Sequence, residues 1–356
     1  MDFNRNTYAV INVKNIRENI KKIINCYNNY SYYIGIVKAD NYGHCGIESV
    51  KAVIDGGCNY LSVATLDEAL KIRENIKNIP ILCLGPVPCE HIYLCIKNNI
   101  TITINSLEYL RELEKYNIEK IHVHIKINTG MNRLGISNIE ELQEVINILN
   151  KKNIIIEGIY THLYDADNKE IYEKQLSKFK EIIDSIDISN IKIIHMAASD
   201  GIVNYTKPDF INGCRIGIMM YGFTKNESLN LQSTFSLYSE VIQINTLNKG
   251  DTLGYNGIYE AKQREKIAVV PIGYADGIIR KNTGRYVYIN DRRYKIVGNI
   301  CMDMVFIQID DSVHLHDRVV ILKDISHIEE VAKYLETIPY EIMCMIGKRV
   351  ERKYIN

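Results

Sequence analysis

Several features that define other protein classes are missing from this chain of 356 residues. Its nine cysteines are scattered and include no C-x-x-C pair, which predicts reduced thiols in a cytoplasmic protein rather than a zinc ribbon or a disulfide framework. No apolar run reaches the roughly 18 residues that a membrane-spanning helix needs. The start, MDFNRNTYAVINV, has no basic segment followed by an apolar one, so we expect no signal peptide.

An excess of charge is also missing, because Lys and Arg together number 43 and Asp and Glu together number 43. This balance gives no electrostatic reason to expect a nucleic acid, an anionic membrane or a polyacidic partner. The histidine pairs His122/His124 and His314/His316 each place two rings on one strand face. Without a third ligand in reach by sequence to complete either pair, we predict no metal site.

Short apolar runs alternate with amphipathic stretches from about residue 32 to residue 218. Eight such alternations predict a parallel sheet, and eight units favour closure into a (β/α)8 barrel, with an open doubly wound sheet as the alternative. The amphipathic stretches include 47–54, 106–116, 139–149 and 169–186. The predicted strands are 32–37, 60–63, 81–84, 101–104, 121–127, 154–161, 191–195 and 210–218.

The pattern changes after Tyr221. Residues 233–322 contain short β-type runs separated by turns, and no long helical pattern interrupts them before about 328–335. We therefore predict a barrel domain over 1–230 and a mostly antiparallel β domain over 231–356, because a chain of this length usually divides its core. The strand-like segment TYAVINV (7–13) could pair with the second domain.

The segment VKADNYGHC (37–45) lies where the first barrel strand ends, and in barrels such positions face the active site. Burying the ammonium of Lys38 is costly unless the charge is paired or neutralised. A covalent bond to an aldehyde cofactor would neutralise this nitrogen and make it reactive. The alternative for Lys38 alone is a surface lysine whose stem packs on the protein.

Eight segments together resemble the alanine racemase family of fold-type III pyridoxal-phosphate enzymes. The resemblance runs from Tyr8 to Tyr354. It implies a (β/α)8 barrel followed by a β domain, pyridoxal 5'-phosphate as cofactor, and a homodimer with shared active sites that interconverts L- and D-alanine and supplies D-alanine for peptidoglycan. The segments are VKADNYGH (37–44), KINTGMNRLGI (126–136), YTHLYDAD (160–167), HMAASDG (195–201), RIGIMMYG (215–222), GYNGIYEA (254–261), PIGYADGIIR (271–280) and GNICMDM (298–304).

The resemblance also assigns roles to barrel residues. Lys38 would hold the cofactor covalently and act as a base on one face of the substrate. Arg133 would contact the cofactor's phenolic oxygen and the substrate carboxylate, since a guanidinium fork suits a carboxylate. Arg215 would face the pyridine nitrogen and leave it unprotonated, which favours racemisation over transamination. His162 would lie against the ring, and the phosphate would be bound by Tyr42, Ser199, Gly217 and Ile218.

Residues of the β domain would complete the site of the partner subunit. Tyr255 would be the second acid/base, Met302 would bind the substrate carboxylate through its backbone, and Tyr274 would stand at the entrance. A tyrosine hydroxyl is a weak base near neutral pH unless its surroundings favour the phenolate, and Arg280 is the charged candidate for that role. Asp303 would support this group, and Lys126 is a candidate for carbamylation, with an unmodified, paired lysine as the alternative.

Two departures from the family pattern bear on the substrate. Asn128 replaces a common aspartate near Arg133, and Lys348 occupies a position that is tyrosine in several alanine racemases, where it contacts phosphate and borders the side-chain pocket. Serine or a broader set of amino acids is therefore the alternative substrate. A non-catalytic pyridoxal-phosphate carrier lacks the β domain, a fold-type III decarboxylase has a glycine run that is missing here, and a plain barrel binding protein leaves the lysine segment unexplained.

Overall fold

The computed structural model describes residues 4–152 and 154–356 and shows two compact units. The barrel unit consists of Ile16–Asn41 and Val50–Leu231. The sheet unit consists of the segment that ends at Asn15, together with Tyr42–Ser49 and Gln232–Asn356. The first strand, β1 (Tyr8–Asn12), belongs to the sheet unit.

The barrel unit contains a closed parallel barrel of eight strands, so the predicted (β/α)8 barrel is confirmed and the open-sheet alternative is excluded. The last strand pairs with the first, where Tyr32 lies opposite Gly213, and this pairing closes the barrel. Because helices cover the outside, most residues of these strands are buried. The strands are β2 (Tyr32–Ile36), β3 (Tyr60–Val63), β4 (Ile81–Cys83), β5 (Ile100–Ile104), β6 (His122–Lys126), β7 (Ile155–Tyr160), β8 (Ile193–His195) and β9 (Gly213–Ile216).

Helices alternate with these strands, and side chains cap several of their first turns. Thr65 and Glu68 form a reciprocal capping box, while Ser106, Asn138 and Asn168 each accept a backbone N–H at the start of a helix. These caps fix where each connection from strand to helix ends. The helices are α1 (Val13–Cys26), α2 (Gly46–Asp55), α3 (Leu66–Asn75), α4 (Ile92–Lys97), α5 (Leu107–Leu113), α6 (Ile139–Lys151), α7 (Lys169–Asp184) and α8 (Ser199–Asn204).

The sheet unit contains a nine-stranded, mostly antiparallel sheet, which confirms the predicted class of the second fold. Its order is β11-β14-β17-β16-β15-β18-β10-β1-β19, and β12 pairs with β13 separately. Two helices follow the sheet strands, α9 (Ile325–Leu335) and α10 (Pro339–Cys344). The strands are β10 (Phe235–Glu240), β11 (Gln243–Leu247), β12 (Thr252–Leu253), β13 (Tyr259–Glu260), β14 (Glu265–Val270), β15 (Tyr286–Ile289), β16 (Arg292–Val297), β17 (Val305–Ile309), β18 (Arg318–Leu322) and β19 (Glu351–Ile355).

Strand β1 lies between β10 and β19. It runs antiparallel to β10, with Ala9 opposite Leu237, and parallel to β19, with Ala9 opposite Arg352. Local turn chemistry also shapes this unit, because Asn290 and Asp291 both have positive φ in the two-residue turn between β15 and β16. That geometry matches the twist of a tight hairpin. Across the described ranges, 4–152 and 154–356, no helix has the length and apolar character needed to cross a membrane.

Candidate active site

Lys38 begins a strained turn just after β2. The backbone of residues 39–42 has φ between 49° and 61°, the left-handed region, although none of these residues is glycine. Each such residue costs about 1–2 kcal/mol, so the surroundings must hold the turn in place. One such contact is the backbone N–H of Ala39, which donates to Glu68 Oε1 at 2.6 Å. Strain of this kind is typical of a functional position.

Arg215, on β9, is held inside the barrel by four acceptors. It is 3% exposed. Its Nη1 lies 2.7 Å from His195 Nδ1, and its Nη2 lies 3.0 Å from His162 Nδ1. Nη2 also donates to the carbonyl oxygens of Thr161, at 2.9 Å, and Met196, at 2.6 Å. Burial lowers the pKa of Arg215 to about 10, so the guanidinium stays protonated at neutral pH.

The charge of Arg215 also determines the state of its neighbours. Burial and then the Arg215 charge lower the pKa of His162 to about 2, so this ring is neutral and its Nδ1 accepts from the guanidinium. Lys126, at the end of β6, is buried with its Nζ 4.6 Å from the centre of the Tyr160 ring. Burial, Arg215 and Arg133 together hold the pKa of Lys126 well below its usual range.

Arg133 lies exposed on the loop between β6 and α6, and Asn128 organises this loop. The Asn128 Oδ1 accepts the backbone N–H groups of Gly130 at 3.1 Å and Asn132 at 3.0 Å. Its Nδ2 donates to Asn132 Oδ1 at 3.0 Å and to Ser137 Oγ at 3.2 Å. A carboxylate could accept the first two hydrogen bonds but could not donate the second two. Asn128 therefore makes two hydrogen bonds within the loop that the family's aspartate could not make.

Ser199 and Gly217 lie together at the carboxyl ends of β8 and β9. The backbone N–H of Gly217 donates to Ser199 Oγ at 3.4 Å, and Ile218 follows as a buried residue. These strands are the seventh and eighth of the barrel, after which barrels commonly bind phosphate. A hydroxyl and backbone N–H groups are suitable donors for phosphate oxygens.

Tyr42 and Lys348 belong to the sheet unit. The Tyr42 ring is buried 5.8 Å from the ring of Tyr340, and burial raises the pKa of its hydroxyl, which therefore stays protonated as a donor. Lys348 is exposed on the segment before β19.

Tyr255 is 71% exposed in the sheet unit, and its backbone is fixed through Asn299. Asn299 Nδ2 donates to the Tyr255 carbonyl oxygen at 2.9 Å, and Arg280 Nη2 donates to Asn299 Oδ1 at 2.7 Å. Arg280 is therefore linked to Tyr255 indirectly, through the Asn299 amide, which contacts the Tyr255 main chain. The sequence analysis did not single out Asn299, although it lies in the GNICMDM segment.

The loops that carry Tyr274 and Met302 are joined by backbone hydrogen bonds. The N–H of Tyr274 donates to the Cys301 carbonyl at 3.1 Å, and the next N–H donates to the Met302 carbonyl at 3.0 Å. A side chain at Gly273 would lie 2.4 Å from both carbonyl oxygens, so only glycine permits this approach. Asp303 accepts from Arg349 Nη2 at 2.7 Å.

Two profiles of known domains match the chain. The one described as "Alanine racemase, N-terminal domain" covers residues 11–225, and the one described as "Alanine racemase, C-terminal domain" covers residues 234–354. The chain belongs to the alanine racemase family.

Individual members of the alanine racemase family match over their full length. "Alanine racemase 1" of Bacillus subtilis is 34% identical, with 99% of this chain and 94% of that protein covered. The crystal structure of alanine racemase from Bacillus anthracis with bound L-Ala-P is 32% identical, with a TM-score of 0.93 and coverage of 100% and 96%. The structure from Bartonella henselae with covalently bound pyridoxal phosphate is 27% identical, with a TM-score of 0.88 and coverage of 98% and 99%.

Within each unit, several residues that the resemblance singled out do lie together. The barrel unit joins Arg215 to His162 and Ser199 to Gly217, and the sheet unit joins the loops of Tyr274 and Met302. No group of three or more His, Cys, Asp or Glu side chains in the described part of the chain is arranged to hold a metal ion.

Gln175, on α7, is a buried polar residue that the sequence analysis missed. Its Nε2 donates to Thr129 Oγ1 at 2.8 Å and to the His162 carbonyl at 3.1 Å, so it ties the loop of Arg133 to the loop of His162. A glutamine on the apolar face of an amphipathic helix was the sign that could have revealed it.

Proposed function

We propose that this chain is a pyridoxal-phosphate-dependent racemase of alanine that works as a homodimer. The position of Lys38 carries the proposal, because it stands just after the first strand of a closed barrel in a chain that matches both domains of the family. The Bartonella henselae relative has pyridoxal phosphate bound covalently, and the Bacillus anthracis relative was solved with L-Ala-P. An amine at such a position suits covalent attachment of an aldehyde.

The donor set of the barrel unit fits pyridoxal phosphate. Ser199 and the backbone N–H groups of Gly217 and Ile218 would bind the phosphate. Arg215, already buried and protonated, would face the pyridine nitrogen, and His162 would lie against the ring. A cofactor with an anionic end and a basic ring nitrogen matches these donors.

Bound pyridoxal phosphate supplies an electron sink that weakens the Cα–H bond of an amino acid attached to it. Racemisation needs a proton removed from one face of Cα and returned on the other. Lys38 Nζ would serve one face, and Tyr255 Oη of the partner would serve the other. Arg133 and the backbone N–H of Met302 would hold the carboxylate, with Tyr274 at the entrance.

Arg215 would direct the reaction toward racemisation. Because the guanidinium keeps its proton, it would donate a hydrogen bond to the ring nitrogen of bound pyridoxal phosphate and leave that nitrogen unprotonated. The cofactor would then be a weaker electron sink, which would favour return of the proton to Cα over transamination.

Exposure in the sheet unit supports the dimer. Tyr255 is 71% exposed, Met302 is 51% exposed and Tyr274 is also exposed, although all three are large and at least partly apolar. Hydrogen bonds connect their loops to neighbouring segments, as described above, so these side chains are presented on ordered backbone. Ordered, exposed side chains of this kind typically mark an interaction site, and we infer that a second copy of the chain covers them.

We also propose that Lys126 is carbamylated. Its lowered pKa favours the unprotonated amine, which is the form that adds to carbon dioxide with loss of one proton. The carbamate would carry a negative charge beside Arg215 and Arg133, the two cations that disfavour a charged lysine there. The intact mass of the native protein, measured with and without acid treatment, tests this modification.

Purified protein loaded with pyridoxal phosphate should convert L-alanine and D-alanine to the same one-to-one mixture, as followed by chiral chromatography. L-serine and other L-amino acids should be tested alongside, because the departure from the family pattern at Lys348 makes a different substrate side chain the alternative to that of alanine. Borohydride should fix the cofactor to the peptide that contains Lys38, and Lys38→Ala should abolish both results. Recovery of the cofactor on another lysine would contradict the proposal.

A further inference from the structure

A row of polar side chains inside the barrel connects Arg215 to Glu157. Arg215 Nη1 lies 2.7 Å from His195 Nδ1, and His195 Nε2 lies 3.0 Å from His124 Nδ1. His124 Nε2 is 3.7 Å from Glu157 Oε2, an electrostatic contact that is too long for a hydrogen bond. Both histidines are fully buried. We call these four residues the interior chain.

A β-bulge at Glu157 and a glycine at position 158 allow the side chains of the interior chain to come together. Val123 pairs with Ile156 but His124 pairs with Gly158, so Glu157 is an extra residue on β7. A bulge of this kind re-aims a side chain, here toward the rings inside the barrel. A Cβ at Gly158 would lie 2.5 Å from Cε1 of His124, so the ring occupies space that only glycine leaves.

The hydrogen bonds from Arg215 fix the protons on both rings, and the charge of Glu157 favours the same arrangement. A guanidinium can only donate hydrogen bonds, and an ionised carboxylate can only accept them. A neutral imidazole has one donor and one acceptor. His195 must therefore accept at Nδ1 and donate from Nε2, and His124 must in turn accept at Nδ1 and carry its proton on Nε2, facing Glu157. No other arrangement of two neutral rings satisfies both contacts.

The charge states needed for this arrangement of protons are present. Burial alone would raise the pKa of Glu157, but its contacts with His124 and Tyr60 outweigh burial and bring the pKa to about 2. The Tyr60 hydroxyl donates to Glu157 Oε2 at 2.8 Å, and Thr101 Oγ1 donates to it at 3.1 Å. Burial lowers the pKa of both histidines, so the two rings are neutral while Glu157 is ionised.

We propose that His195, His124 and Glu157 are positioning residues for Arg215. The interior chain holds the guanidinium in one orientation and prevents an N–H of His195 from turning toward it. This rests on the proposed function, in which Arg215 faces the cofactor. Reversal of either ring would place an N–H against the guanidinium and displace it.

Spectra of the histidine rings test the proton arrangement of the interior chain directly. In the full-length protein with ¹⁵N-labelled histidine, long-range ¹H–¹⁵N spectra should show that His195 and His124 are protonated on Nε2 and unprotonated on Nδ1. Glu157→Gln removes the negative charge that favours a proton on His124 Nε2 and introduces an amide that can donate to this nitrogen, so a second tautomer should appear at both rings. Glu144→Gln makes the same change at an exposed residue paired with Arg111, and it should leave both rings unchanged.

Kinetics distinguish positioning from space filling. Glu157→Gln should lower kcat for alanine about tenfold, the scale on which lost outer-shell partners affect metal sites, with little change in KM. His124→Gln keeps an acceptor and a donor without a ring that titrates, whereas His124→Leu keeps neither. The glutamine variant should retain more than a third of kcat, and the leucine variant should lose about as much as Glu157→Gln. Thermal melts ensure that each variant is compared while folded.

Three results would overturn the proposal: an Nδ1–H tautomer at either ring in the wild type, ring spectra that Glu157→Gln leaves unchanged, or a His124→Leu variant as active as His124→Gln. A failure of the proposed function is separable from these, because it appears as wild-type protein that does not racemise alanine. The ring spectra do not depend on turnover.

Discussion

Arg215 and Tyr255 are both assigned to the reaction, yet Arg215 is 3% exposed and Tyr255 is 71% exposed. The barrel unit holds its cation with four protein acceptors, and the sheet unit fixes only the main chain of Tyr255, through Asn299. The difference indicates a division of labour. The barrel unit fixes the orientation of a buried cation, whereas the sheet unit leaves large side chains exposed, as the proposed partner subunit would require.

The largest expected effect comes from separating the two bases. Lys38→Ala and Tyr255→Ala homodimers should each be nearly inactive. When the two variants are refolded together, half of the dimers are mixed, and each mixed dimer has one intact site and one site that lacks both bases. Random assortment therefore predicts recovery of about a quarter of wild-type activity, measured as alanine racemisation after subunit exchange.

Mixing each variant with the Lys38→Ala/Tyr255→Ala double variant is the matched control, and it should restore nothing. No recovery in the main experiment, with exchange demonstrated by mass spectrometry, would mean that both bases of a site come from one chain. The proposal that the sheet unit completes the active site of a partner subunit would then fail.

A pair of conservative replacements sharpens the comparison. In Arg215→Lys a single ammonium cannot reach four separate acceptors, so we expect kcat/KM for alanine to fall about 10²-fold, the effect of a misplacement near 1 Å. In Arg280→Lys the ammonium can still reach Asn299, and the loss should be about threefold, as for one exposed hydrogen bond. Equal losses in the two variants would show that burial does not distinguish the units.

Lys348→Tyr should have the smallest effect and tests whether the sheet unit also influences substrate choice. If Lys348 borders the side-chain pocket, the alanine-to-serine ratio of kcat/KM should shift by a factor of several, or about 1 kcal/mol. Lys295→Tyr, at an exposed lysine of β16, is the control and should leave the ratio unchanged. An unchanged ratio in Lys348→Tyr would remove this residue from the pocket.

The barrel could be predicted from sequence because its strands are short and mostly apolar. Strands β3 and β5 are buried at every residue. The end of β10 could not be predicted. The residues 234–244 form one continuous β-type run in the sequence, but the chain changes partners at Val241 and Ile242, whose N–H groups donate to Asp317 and Val269. The alternating pattern implied a helix after β3 without giving its bounds, although the T-x-x-E capping box at 65–68 marks the start of α3.

Contacts within the site depend on closure of the barrel and could not be predicted from spacing. His124 and His195 lie 71 positions apart and meet only because their inward-facing side chains reach the same level of the barrel. The exposure of Tyr255 was equally hidden, since sequence does not show which polar or aromatic residues the fold leaves uncovered. The motifs singled out candidate residues, and the fold determined what each one contacts.

The position of β1 between β10 and β19 has a consequence for synthesis of the protein. Its partners begin at Phe235 and Glu351, so every barrel strand leaves the ribosome before β1 can pair with either neighbour. Until then both edges of the YAVIN segment expose unpaired N–H and C=O groups beside apolar side chains, a combination that favours pairing with other chains. The nascent polypeptide therefore remains open to intermolecular mispairing at this strand for most of translation.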